Sequence, residues 1–170
     1  MFSSLLLFGH HPHSAHSSGA AAAPPLPEAS ITHVPRLTDL YHIGSRRLNL
    51  GGFKRVFKAR HIATGQDCVL GLVTAEHYSS RSAIAAANRE VQMHQHLNSL
   101  GSPRLIRLLG AHTFPSHTGG LRLAVAMELA DGGDLMDAVT SRGAPLSVAQ
   151  AKSYFRDLQE GLSVMHRAGM

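Results

Sequence analysis

Residues 48–61 read LNLGGFKRVFKARH. Two adjacent glycines, Gly51 and Gly52, separate Leu48-Asn49-Leu50 from VFKARH, a run with β-branched and aromatic content. The pattern predicts a strand, a turn at the glycine pair and a second strand. A glycine turn lets backbone N–H groups approach a bound oxyanion with no side chain in the way. ATGQD follows, a tight polar turn carrying Gly65, and then CVLGLV, residues 68–73, which reads as a buried strand. The chain has three lysines, Lys54, Lys58 and Lys152, and none lies on CVLGLV. On a strand of period two, Lys54, Val56 and Lys58 share one side, with Lys54 nearest the turn.

Moving outward, good helix formers run from Ser82 to Leu97. Ile84, Ala87, Val91 and His94 recur at helical spacing along one face, and Gly101 and Pro103 end the run. LIRLLGAHTF (105–114) and LRLAVAMELA (121–130) predict two more strands around the turn PSHTGG. DGGDLMDAVTSRG is a turn leading into a short helix. LSVAQAKSYFRDLQEGLSVMH is the clearest helix, opened by a Ser147–Gln150 capping box. Its apolar stripe is Ala151, Tyr154, Phe155, Leu158, Leu162 and Met165. Three strands, a helix, two strands, a linker and two helices make an α+β arrangement with a small antiparallel sheet.

Residues 1–38 are low in complexity and rich in Pro, Ser, Gly and Ala, as expected of a disordered tail. His10, His11, His13 and His16 could hold a metal there, or simply belong to a biased tail. A single cysteine, Cys68, excludes an intramolecular disulfide and suits an intracellular, cytoplasmic setting. No apolar run approaches the ~20 residues of a transmembrane helix. The start, MFSSLLLFGHH, has a short greasy patch and no positive n-region, which leaves organelle targeting by the tail open. The net charge of +5 suggests attraction to phosphates, but the arginines are scattered, unlike a nucleic-acid patch.

These segments, in this order, resemble the first part of a eukaryotic protein kinase domain. GGFKRVFKARH is similar to the second half of a glycine-rich loop, and NREVQMHQHL to the helix carrying an ion-pairing glutamate. RLIRLLGAH and LAVAMELADGGDL resemble the next two strands and the hinge; AKSYFRDLQEGLSVMHRAG resembles the helix before the catalytic loop. The resemblance implies a small lobe at about 41–127, a hinge at 128–134 and the start of a large lobe at 135–170. It implies ATP, with magnesium, and transfer of the γ-phosphoryl to a protein serine or threonine. Gly51 and Gly52 would cover the phosphates, while Leu48, Val56 and Val69 would wall the adenine. Met127 would be the gatekeeper, main-chain groups of Glu128 and Ala130 would bond the adenine edge, and Asp134 would reach the ribose. For Asp134, a helix N-terminal acid is an equal reading.

The family's phosphate-binding lysine lies on the strand after the glycine hairpin, where this sequence has Gly71. With-no-lysine kinases carry that lysine in the glycine loop, in a Phe-Lys-x-Val segment, and GGFKRVFKA resembles it closely. Lys54 would then hold the phosphates and Glu90 would orient Lys54. Asn49 stands where the family has its first glycine, which puts tight closure of the loop in doubt. No His-Arg-Asp loop or Asp-Phe-Gly segment, the family's acceptor-orienting and magnesium-binding parts, occurs before Met170. The expectation is therefore a segment with no metal ligands and no kinase activity alone. Its last helix would lack core partners, which predicts poor solubility or a protein partner that covers it. The alternative is a pseudokinase fragment that binds proteins without nucleotide.

Overall fold

The computed structural model describes residues 30–48, 54–74, 78–117, 119–130, 132, 135–140 and 145–170. These form two compact units, one of 30–96 with 107–129, the other of 97–106 with 130–170.

The first unit is built on a six-stranded sheet. Its strands are β1 (Thr32–His33), β2 (Tyr41–Arg47), β3 (Lys54–His61), β4 (Asp67–Val73), β5 (Leu108–Pro115) and β6 (Leu121–Glu128), in the order β1-β5-β6-β4-β3-β2. The helix α1 (Arg81–Ser99) crosses between β4 and β5. β3 and β4 pair through an unbroken antiparallel ladder from Lys54↔Val73 to Arg60↔Asp67. Gly65, with φ +67°, turns the chain between them in a conformation that costs an L side chain energy. Gly101, at φ +62°, reverses the chain just after α1.

The strand before the glycines is longer and earlier than the sequence suggests. It runs from Tyr41 to Arg47, and the Leu48 amide extends the ladder by donating to the Val56 carbonyl at 2.8 Å. Its polar residues and a register shift between Ile43 and Arg47 hide the alternation. Strand β5 begins only at Leu108; Leu105 and Ile106, though buried, precede it outside the strand.

Ordered chain also reaches further back than residue 38. Thr32 and His33 add a short parallel strand beside His112 and Thr113, so the sheet is mixed rather than purely antiparallel. Neither residue is buried, so no hydrophobic signal marks the strand. It is fixed by polar contacts: Thr32 Oγ1 lies 2.6 Å from His112 Nδ1, and Ser30 and Gln95 exchange two hydrogen bonds of 3.1 Å.

The sheet carries a core on each face. Val69, Val73, Val125, Met127 and Leu123 pack with Ala87 and Val91 of α1. This confirms the helical face expected at Ala87 and Val91, while Ile84 packs at its margin. The other face gathers Leu37, Tyr41, Ala59, Cys68, Leu70, Ala124 and Ala126. Here the sheet curls until Tyr41 of the edge strand β2 meets β5: the Tyr41 hydroxyl is 3.0 Å from His112 Nε2. The Tyr41 ring also meets His61 edge-on at 5.2 Å. Burial, with the nearby Cys68, pushes the Tyr41 hydroxyl up to about 12. Burial and then His61 lower the pKa of His112.

The second unit contains α2 (Leu135–Thr140) and α3 (Val148–Arg167). The α3 N-terminus has the expected reciprocal cap: the Gln150 amide donates to the Ser147 hydroxyl, and the Ser147 amide to the Gln150 side chain. The buried positions of α3 are Asp157 and Gly161, not the whole apolar stripe; Phe155 is 60% exposed and Leu162 37%. Asp157 is buried because Arg104, equally buried, lies against it with Nη2 2.9 Å from Oδ1. That oxygen is off the N–H direction, so the pair is a charge contact rather than an aligned hydrogen bond. Arg104 Nε donates in good geometry to Glu160 Oε2 at 2.8 Å.

Candidate functional site

The site is assembled on the face of the sheet that packs against α1. Alternation along β3 puts Lys54, Val56 and Lys58 on that side. The register sets Val56 opposite Gly71, Lys58 opposite Val69, Gly71 opposite Val125 and Val69 opposite Met127. Val69 and Met127 are buried and Val56 packs against them. Three of the expected adenine-wall and gatekeeper residues thus form one apolar surface. Leu48, the fourth, is half exposed just past the end of β2.

Lys54 reaches across this surface to α1, where its Nζ donates to Glu90 Oε1. The lysine side chain is only 18% exposed, the glutamate 44%. Lys58, four residues further along the same face, stays outside, more than half exposed and 3.9 Å from Asp67. The stronger partner of Asp67 is Arg60 at 2.7 Å, whose hydrogen bond draws the Asp67 carboxyl below its usual range. The sheet thus sorts two lysines of similar sequence context into different roles, one held by a helix glutamate and one in solvent.

Gly71 explains how Lys54 lies down. A Cβ at position 71 would meet Lys54 Cδ at 3.5 Å, Val125 O at 3.8 Å and Met127 Cε at 3.9 Å. The lysine stem fills the space that a side chain on β4 would occupy. The glycine that removes a lysine from β4 also makes room for the lysine of β3. A half-exposed ion pair contributes only about 0–1 kcal/mol to folding. Holding Lys54 in one place is therefore the larger consequence of the pair than stability.

At the end of β6, Glu128 folds its carboxylate onto Arg107, which Nε reaches at 2.8 Å. Sequence reasoning singled out the main chain of Glu128 and missed this use of its side chain. Ala130 belongs to the second unit. Gly51, Gly52 and Asp134 lie outside the described residues. Among the described residues no group of three or more His, Cys, Asp or Glu side chains is placed to hold a metal. The donors here are a cation and its partner carboxylate, which do not make an oxygen-rich magnesium site. No described helix is long and apolar enough to cross a membrane.

A curled sheet backed by one helix, with a sheet lysine held by a helix glutamate, is the architecture of a kinase-type small lobe. The protein kinase domain model matches residues 42–170, and the chain belongs to that family. It is 28% identical over 156 residues to calcium-dependent protein kinase 2 of Oryza sativa subsp. japonica, covering 91% of this chain and 28% of the relative. It is 27% identical over 136 residues to putative CBL-interacting protein kinase 13 of the same organism, covering 80% and 24%. It is 27% identical over 131 residues to the mouse hormonally up-regulated neu tumor-associated kinase, covering 76% and 17%. The chain thus spans less than a third of the length of these relatives. Membership in the family carries ATP, magnesium and protein substrates as family properties.

Proposed function

We propose that this chain is the ATP-holding part of a serine/threonine protein kinase, with its phosphate-contacting lysine moved from β4 to β3. Lys54 supplies the charge for the nucleotide phosphates and Glu90 fixes its direction. Val56, Val69 and Met127, with Leu48, form the apolar surface for adenine. Main-chain groups of Glu128 and Ala130 take the edge of the base, and Asp134 takes the ribose. Gly51 and Gly52 close over the phosphates. The observation that carries this reading is the Lys54–Glu90 pair laid over Gly71. The likeness to with-no-lysine kinases rests on that exchange and on the segment GGFKRVFKA.

Lys54 and Glu90 position rather than transform. A lysine fixed beside the phosphates neutralises their charge before reaction and needs no reorganisation during it. The reaction of the whole domain is transfer of the ATP γ-phosphoryl to a serine or threonine hydroxyl of a protein. Magnesium, a property of the family, would supply charge neutralisation at the phosphates in the whole domain, beside the charge that Lys54 supplies.

Titration of the chain with ATP tests the reading. Lys54→Met weakens binding by about 10- to 100-fold, the worth of one charge-assisted contact. Lys58→Met stays within about twofold of the parent. Equal losses in both variants, or no ATP binding by a folded sample, contradict the assignment and favour a protein-binding module without nucleotide.

A further inference from the structure

The junction of β5 and β6 departs from a regular ladder in one informative way. Met127 pairs with Leu108, so the next opposed residues are Glu128 and Arg107. In an antiparallel sheet such opposed residues either exchange two backbone bonds or none. Here one backbone bond is made: the Glu128 amide donates to the Arg107 carbonyl at 2.9 Å. The reciprocal bond is replaced. The Arg107 amide donates at 3.0 Å to Oε1 of the Glu128 side chain, and Arg107 Nε donates at 2.8 Å to Oε2 of the same carboxylate. A carboxylate is the stronger acceptor, which is why it displaces the carbonyl from this amide. The Glu128 main-chain oxygen is left out of the pairing with β5.

We propose that the Glu128 carboxylate, gripped by the amide and guanidinium of Arg107, is a positioning group. It keeps the Glu128 carbonyl free to accept a hydrogen bond from the 6-amino group of a purine. The inference rests on the reading of Glu128 as an adenine-contacting residue, and adds a role for a side chain where the base itself needs only main chain. Without the carboxylate, the Arg107 amide turns to the carbonyl opposite it. The ladder then closes by one more bond and the acceptor is lost to the ligand. The guanidinium gives the carboxylate a second donor and so holds it in place. Arg107 is 62% exposed, so the effect is one of geometry, not of buried charge.

The test compares three probes on the same chain: ATP, GTP and inorganic tripolyphosphate, titrated calorimetrically. GTP carries an oxygen where ATP carries the 6-amino group and does not use the freed carbonyl in the same way. Glu128→Ala weakens ATP binding by about 10-fold, the worth of one hydrogen bond, and leaves tripolyphosphate and GTP within about twofold. Glu128→Gln, whose amide oxygen still accepts from the Arg107 amide, keeps ATP binding within about threefold. Arg107→Met, which retains its amide but not the second grip, falls between the two. A Glu128→Ala chain that binds ATP like the parent overturns the proposal, and so does one that loses ATP and tripolyphosphate together. A parent chain that binds tripolyphosphate but prefers no adenine nucleotide brings down the adenine reading itself, and this proposal with it.

Discussion

Two ion pairs in this molecule, one in each unit, are built from similar residues and do opposite work. Lys54–Glu90 joins a strand to a helix with the glutamate nearly half exposed. Arg104–Asp157 joins a turn to a helix with both side chains 4% exposed. Water screens the first pair, so little folding energy depends on it. Nothing screens the second, and Arg104 also holds Glu160, so it is removal of Arg104 that strands the Asp157 carboxylate in a dry interior. A pair open to water on its glutamate side leaves its lysine able to meet a phosphate as well, whereas a buried one is committed to the fold.

The largest effect should come from breaking the buried pair. Arg104→Met, which leaves the buried Asp157 carboxylate without a cation, is expected to cost about 3–5 kcal/mol in chemical denaturation. The double change Arg104→Met with Asp157→Leu should recover most of it, since it removes the buried carboxylate and leaves only the partly exposed Glu160 without Arg104. Glu90→Gln, the matching lesion in the exposed pair, should shift stability by less than about 1 kcal/mol. A comparable loss in both pairs would erase the distinction.

Next in size is the core inside the curl. Leu70 is fully buried there, and Leu70→Ala should cost about 2–5 kcal/mol. Gly71, its neighbour in sequence, points to the other face and behaves differently. Gly71→Ala adds a methyl at ordinary contact distance from Lys54 Cδ and should be tolerated. Gly71→Leu should push Lys54 off Glu90 and weaken ATP binding by about 10-fold or more while thermal unfolding stays cooperative.

The smallest effect is a pH dependence from the Tyr41–His112 contact. Burial first, then His61, depress the folded pKa of His112 below its ordinary value near 6.5. Above that value both states are neutral and nothing is lost. As pH falls below it, the unfolded chain takes up a proton that the folded chain refuses, and stability declines. Tyr41 works at the other end, pushed up to about 12 from 10 chiefly by burial. Above pH 10 the unfolded tyrosine ionises while the folded one stays neutral, so stability declines again. Melting temperature against pH should show both limbs, and His112→Gln should flatten the acid one. An unchanged acid limb in His112→Gln would assign it to other histidines.

Much of this architecture was legible in sequence. The β3–β4 hairpin and α1 announce themselves by period two and by helical spacing, and Ser147 and Gln150 mark the start of α3. The β3 alternation put Lys54 on the side of Val56, and it was the resemblance to kinases, not the alternation, that named Glu90 as its partner. What stayed hidden was polar. β1 consists of two exposed residues held by hydrogen bonds, so it has no apolar pattern to read. Asp157 sits in a helix whose apolar residues drew attention to a different stripe, and only its partner in space makes its burial intelligible. The Arg107–Glu128 contact depends on a backbone amide choosing between two acceptors, a choice made by register and not by composition.

The central claim is that Lys54 is the phosphate lysine. An acyl-phosphate derivative of ATP, which acylates the lysine amine nearest the nucleotide phosphates, tests it directly. Mass spectrometry of the labelled chain should place the modification on Lys54, and excess ATP should suppress it. ATP-protected labelling of Lys58 or Lys152 in place of Lys54, or labelling of Lys54 that ATP does not diminish, would contradict the claim.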